Sequence, residues 1–186
     1  GEYYGLYEEY YENGQLQAKG TYIDGKEDGL FEWYLSNGQL SERKSYKDGK
    51  EDGLAVKYRS DGQLSEMRTY KDEKLDGLEE VYWDNGQIYY RGTYKDGKRD
   101  GLVEVYRPNG QRQEIRTYKD GKLDGLYEIY QKNGQLQLRN TFKDGKKDGL
   151  EEVYIKGQLF ERNTYKDGKK DGLVEIYDWK RGTLTE

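Results

Sequence analysis

The pair Gly-Leu returns every 24 residues along this chain, at Gly5, Gly29, Gly53, Gly77, Gly101, Gly125 and Gly149, and once more after 23 residues at Gly172. A fixed period of this length is the signature of a repeat architecture, in which each unit buries its apolar surface against its neighbours. The consensus unit reads Gly-Leu-x-Glu-x-Tyr, then Asn-Gly-Gln-Leu, then Thr-Tyr-Lys-Asp-Gly-Lys. The shortened step falls before Gly157, where Ile155-Lys156-Gly157 stands for a longer stretch such as Gln131-Lys132-Asn133-Gly134. No linker or change of composition interrupts the series, so residues 1–186 read as one repeat domain.

Each unit holds two turn signals. Asn13-Gly14, Asn37-Gly38, Asp61-Gly62, Asn85-Gly86, Asn109-Gly110 and Asn133-Gly134 predict two-residue type I′ turns, whose central residues both need positive φ. Lys-Asp-Gly-Lys followed by Asp-Gly predicts a longer connection of about five residues, with Glu73 in place of glycine in the third copy. Between the turns lie runs of strand length rich in Tyr, Val, Ile and Thr, and the 3.6-residue period of a helix is absent. The chain is therefore predicted to be all-β, an elongated single-layer antiparallel sheet of stacked hairpins.

A two-residue turn at Asn13-Gly14 sets Tyr10 opposite Gln17, Glu8 opposite Lys19 and Leu6 opposite Thr21. Since side chains alternate faces, one face carries a Leu column from Leu6 to Leu173 and a Tyr column from Tyr10 to Tyr177. Between them runs a ladder of cross-strand ion pairs, Glu8–Lys19, Glu32–Arg43, Glu80–Arg91 and Glu128–Arg139. In the third repeat both partners become apolar together, as Val56 and Met67, which is what direct contact predicts. In the fifth, Glu104 falls opposite Ile115, with Arg116 one position late. The other face carries a second aromatic column, Tyr22, Tyr46, Tyr70, Tyr94, Tyr118, Phe142 and Tyr165.

With 32% hydrophobic and 37% charged residues the composition alone permits disorder, but 21 regularly spaced tyrosines supply large apolar bodies with polar tips. Neither Cys nor His occurs, which removes disulfides, thiolate chemistry and the commonest metal ligand and general base. No apolar run reaches membrane-spanning length, and the net charge of -5 argues against phosphate backbones and anionic membranes as partners. Gly1 falls inside a repeat, as in a piece of a longer chain, so the compartment is left open.

Function is sought where the repeat is broken. A catalytic residue stands apart from its copies, whereas the Glu ladder is repeated and paired, so no catalytic residue and no cofactor is assigned and the chain is read as non-catalytic. The Asp-Gly loops resemble calcium loops, but most contain a Lys and lack the bidentate Glu; turn-making is the plainer reading, and calcium is left open. Tyr3, Tyr4, Tyr7, Tyr11, Phe31, Trp33, Trp83, Tyr89, Tyr90, Tyr127 and Trp179 break the consensus with aromatic residues and are the better candidates for binding, since aromatics are enriched at hot spots; of these, Trp33, Trp83, Tyr89, Tyr90 and Tyr127 are taken as the candidate partner contacts.

Units such as Gly125-Leu-Tyr-Glu-Ile-Tyr with Asn133-Gly134-Gln-Leu and Tyr118-Lys-Asp-Gly-Lys resemble the variant MORN repeat of bacteria over nearly the whole chain. The departures are Glu73, the short seventh repeat and the loss of pattern from Trp179 onward. The resemblance implies stacked β-hairpins serving as a protein- or membrane-binding scaffold. Many bacterial proteins with this repeat are named as antitoxins of toxin–antitoxin pairs, which implies a protein partner. The expectation is a protein-binding scaffold, antitoxin-like or displayed at a bacterial surface. A carbohydrate or cell-wall binding module is the alternative. Nucleic acid and membrane insertion are not expected, and the oligomeric state is open.

Overall fold

The computed structural model describes residues 3–172, 174–178 and 183–184; Leu173 and Trp179 lie outside them. It is all-β: every element among the described residues is a strand. The chain groups into two compact units, residues 1–88 with 94–97, and residues 89–93 with 98–186. Within each, antiparallel hairpins follow one another in chain order as an open sheet.

In the first unit, strand Gly5–Tyr10 pairs with Leu16–Ile23, Gly29–Tyr34 with Leu40–Lys47, and Lys50–Tyr58 with Leu64–Lys71. The central register is the one the sequence predicts, with Leu6 opposite Thr21 and Glu8 opposite Lys19. In the second unit Leu126 faces Thr141 and Glu128 faces Arg139. Val56 faces Met67, and Glu104 faces Ile115.

The turns depart from the sequence expectation, and the two types are exchanged. At Asn13-Gly14 only the glycine has positive φ, 83°. Gly14 N–H donates to the Tyr11 carbonyl at 2.9 Å and Tyr11 N–H to the Gln15 carbonyl at 2.8 Å. This is a type I turn closed by a left-handed glycine, the G1-bulge form of the three-residue hairpin loop. Its extra residue sets Tyr10 opposite Leu16, not Gln17. Asn13 acts through its side chain, Oδ1 accepting from Gln15 N–H at 3.0 Å.

The two-residue type I′ turn is instead Asp-Gly within Lys-Asp-Gly-Lys. Asp24 and Gly25 have φ of 51° and 73°, and Ile23 faces Lys26. The connection expected to span five residues is thus a tight turn followed by a kink at Asp28-Gly29, where Asp28 N–H still donates to the Thr21 carbonyl at 2.9 Å. The seventh repeat, one residue short, also closes its other end with a two-residue turn, Lys156-Gly157 at φ of 52° and 79°.

Glu73 holds the left-handed conformation, φ 65°, at a site that is glycine in the other copies. A side chain there costs about 1–2 kcal/mol, and part of that is offset because glycine loses more entropy on folding. Glu73→Gly is expected to stabilise the chain by about 0.5–1 kcal/mol, seen as a raised denaturant midpoint at constant m-value.

The kink aspartates tie one hairpin to the next. Asp76 Oδ2 accepts from Asp96 N–H at 3.1 Å, Asp100 from Asp120 N–H at 3.1 Å and Asp124 from Asp144 N–H at 3.1 Å. Beside these, Gly49 N–H donates to the Glu27 carbonyl at 2.8 Å and Gly121 N–H to the Arg99 carbonyl at 2.8 Å. The aspartates of the Asp-Gly loops are therefore engaged by backbone. No group of three His, Cys, Asp or Glu among the described residues is arranged to hold a metal ion.

Candidate binding faces

On the face carrying the Glu ladder, acids are bonded from their own strand, and Glu8, Glu32, Glu128 and Glu152 are also faced by a base. The Tyr two residues on donates its hydroxyl: Tyr10 to Glu8 at 2.6 Å, Tyr34 to Glu32 at 2.8 Å and Tyr154 to Glu152 at 2.9 Å. The bases bridge successive hairpins as well as pairing within one. Lys19, opposite Glu8, makes its ion pair with Glu32 at 2.7 Å, one hairpin on. Arg139 reaches Glu128 at 2.7 Å and Glu152 at 3.4 Å; Arg162 reaches Glu152 at 3.0 Å and Glu175 at 3.3 Å. At these places the ladder links neighbouring hairpins, which pairing within a hairpin does not reveal. Arg43 faces both Glu32 and Val56. Glu80 lies in the first unit and Arg91 in the second.

Electrostatics follow from this packing. The Lys19 hydrogen bond, the Tyr34 hydroxyl and nearby positive charge hold Glu32 below the usual carboxylate range despite partial burial. Burial pushes Glu152 up, but the Tyr154 hydroxyl and Arg162 outweigh it and the net direction is down. Tyr130 is pushed up to about 12 by burial and by donating to Glu128. In the fifth repeat, Glu104 finds Arg112 at 3.3 Å in place of the absent ladder base. Arg116 turns to the opposite face, its Nε 2.7 Å from Glu114 and its guanidinium over the Tyr127 ring.

The Leu column borders this ladder, and five of its members are exposed while Leu78 and Leu126 are half-buried. Leu6, Leu30 and Leu54 of the first unit are 63%, 49% and 38% exposed, and Leu102 and Leu150 of the second are likewise exposed. Leu6, Leu30 and Leu54 sit beside the kink glycines, opposite Thr or Ser.

The opposite face is built on aromatics. Phe31 is buried, edge-on to Tyr22 at 5.4 Å and to Tyr46 at 5.3 Å. Gly20 lies directly beneath it: a methyl group there would stand 2.3 Å from the ring. In the third repeat Ala55 replaces Phe31, leaving a small hollow walled by Glu42, Lys44, Glu66, Arg68 and Tyr70. Lys44 pairs there with Glu51 at 2.6 Å and Arg68 with Glu79 at 2.8 Å.

The aromatic candidates are dispersed. Trp33 sits on a strand of the first unit, 6.0 Å from Phe31, opposite Ala18 and Glu42. Trp83 opens a hairpin-tip turn, accepting from Gly86 N–H at 2.9 Å. Tyr89 and Tyr90 belong to the second unit; Tyr89 is exposed, while the Tyr90 hydroxyl lies against Gly92. Tyr127 is half-buried, edge-on to Phe142 at 6.0 Å. Sequence reasoning leaves the exposed Leu column out of its candidate contacts, because leucine reads as core. Tyr3 and Tyr7, which it counts among the consensus-breaking aromatics, are brought together around Tyr22.

No helix among the described residues is long and apolar enough to cross a membrane. No curated protein matches the chain. The family model described as MORN repeat variant matches residues 3–24, 27–48, 75–96, 99–120 and 123–144. The unmatched stretch between the second and third of these holds the Val56–Met67 pair, Ala55 and Glu73. Such repeats point to repeat-based binding or scaffolding. With more than half of its length matched, each segment one hairpin and its connection, this chain belongs to the MORN repeat variant family.

Proposed function

We propose that the chain is a non-catalytic scaffold that binds a protein partner through the face carrying the Leu column. The supporting observation is the exposure of Leu6, Leu30 and Leu54 at one position of successive hairpins. Apolar side chains repeated along one stripe mark an interaction surface more often than scattered exposed ones. The bordering ion pairs and Tyr hydroxyls provide a polar rim, as interfaces require. Trp33, Trp83, Tyr89, Tyr90 and Tyr127 are proposed as further contacts. Neutralising a toxin and contacting a partner at a bacterial surface are the two settings proposed for such a scaffold.

A glycan-binding reading ranks second. It rests on the Tyr columns, but Tyr10, Tyr34 and Tyr154 already spend their hydroxyls on Glu8, Glu32 and Glu152. The test is to identify the partner by cross-linking in the native cell and then titrate the purified pair. Leu30→Glu with Leu54→Glu is expected to weaken that binding at least tenfold, about 1.4 kcal/mol, while the folded sheet is retained, as checked by circular dichroism. Unaltered affinity would remove the Leu column from the interface. Glycan-array binding with no protein partner would favour the second reading.

A further inference from the structure

An open hollow of about 340 Å³ lies among Tyr3, Tyr7, Tyr22 and Gly25, on the aromatic face of the first hairpin. Tyr3 and Tyr7 meet Tyr22 nearly at right angles, with centroids 5.6 and 5.7 Å away and interplanar angles of 81° and 78°. Rings set this way form walls, not a stack. All three hydroxyls are committed inside the chain: Tyr3 donates to the Leu6 carbonyl at 2.7 Å, Tyr7 to Glu9 Oε2 at 2.9 Å and Tyr22 to Glu27 Oε1 at 3.4 Å. The hollow therefore offers π-surface and two nearby carboxylates, and few free donors. A phenol donating to a carboxylate is polarised, which enriches its ring in electron density.

At the position of Tyr3 the later copies hold Glu27, Glu51, Leu75, Arg99, Leu123, Lys147 and Lys170, and two of these are cations set over a ring. Tyr3 stands two residues before Gly5, which faces Tyr22. Arg99 stands two residues before Gly101, which faces Tyr118, and Lys147 two residues before Gly149, which faces Tyr165. Both cations lie over the ring of their column tyrosine, Arg99 at 5.4 Å and Lys147 at 4.9 Å. At Tyr22, no Lys or Arg among the described residues does so; the slot is walled by tyrosine instead. The repeat thus supplies an internal cation–π partner at two of its copies and an aromatic enclosure without one at the first.

We propose that the Tyr3–Tyr7–Tyr22 hollow binds a quaternary ammonium group, the cation that aromatic walls recognise without hydrogen bonds. Glu9 and Glu27 complement its charge. The group could be carried by a small free cation or by a lipid headgroup, and the experiment separates these sources.

The test titrates choline into the full chain, followed by calorimetry and by NMR of the tyrosine rings. The comparison ligand is 3,3-dimethylbutan-1-ol, which has the same shape with carbon in place of the charged nitrogen. Choline is expected to bind at least about tenfold more tightly than the neutral isostere. Tyr3→Arg, which installs the internal cation found at Arg99, is expected to abolish choline binding and leave Tm unchanged. Tyr3→Ala is expected to weaken it without a competing charge. Sedimentation with phosphatidylcholine vesicles, lost in Tyr3→Arg, would identify the lipid headgroup as the source, and choline binding without sedimentation a free cation. Equal binding of the two ligands, no choline binding at tens of millimolar, or full binding by folded Tyr3→Arg would each overturn the proposal.

Discussion

Replacing Arg139 by Met is expected to lower the unfolding free energy by about 2 kcal/mol, read as a lower denaturant midpoint at constant m-value. The guanidinium lies 2.7 Å from Glu128 and 3.4 Å from Glu152, whose residues are only 4% and 7% exposed. Breaking a buried ion pair by removing one partner costs about 3–5 kcal/mol. Two features reduce that here: the Arg139 side chain is 42% exposed, and Glu152 retains Arg162 at 3.0 Å. The third repeat supplies the control, because Val56 faces Met67 at the same two positions and Tyr58 there forgoes the Glu acceptor. Glu128→Val combined with Arg139→Met is therefore expected to come within about 1 kcal/mol of the parent. A double variant as unstable as Arg139→Met alone would show that pairing across the hairpin is not what stabilises this row.

Gly20→Ala is expected to cost about 2–3 kcal/mol, the range for overpacking a filled core. The added methyl group would stand 2.3–2.5 Å from three ring atoms of Phe31. That ring cannot swing aside, since Tyr22 and Tyr46 hold it edge-on from both sides. Gly20 is not among the residues with positive φ, so the penalty is steric rather than conformational. It should consequently depend on Phe31. In a Phe31→Ala background, which carries its own cavity cost of about 3–5 kcal/mol, Gly20→Ala is expected to add less than about 0.5 kcal/mol. Simple additivity in this thermal or denaturant cycle would sink the packing account.

The strand register was legible because it is written twice, in the Gly-Leu period and in residues that change together, such as Val56 with Met67. The turns were less so. Asn-Gly and Asp-Gly carry the same local preference for positive φ, so the dipeptides alone do not say which forms the tight turn. The symmetric lysines of Lys-Asp-Gly-Lys were the available sign, since they face one another across the two-residue loop at Lys47 and Lys50. Exposure of the Leu column could not be read from alternation, because alternation assigns faces without saying whether anything covers them. The link between Gly20 and Phe31 joins strands of different hairpins, so it required the stacking register. Trp33 and Tyr127 stand out from the consensus, yet each is partly occupied in packing against a neighbouring ring.

Kink aspartates address a backbone N–H twenty residues further on, as Asp76 does Asp96 and Asp124 does Asp144. A hairpin joined in this way carries half of a joint and presents the complementary half to its successor. Insertion or loss of a whole 24-residue unit preserves such joints, whereas any other change of length has to be absorbed between the two halves of the joint. In a lineage, this leaves the number of units free to vary by duplication. The shortened seventh unit complies in its own way: its missing residue is taken from the far tip, and Asp148 still reaches Asp167 N–H at 3.3 Å.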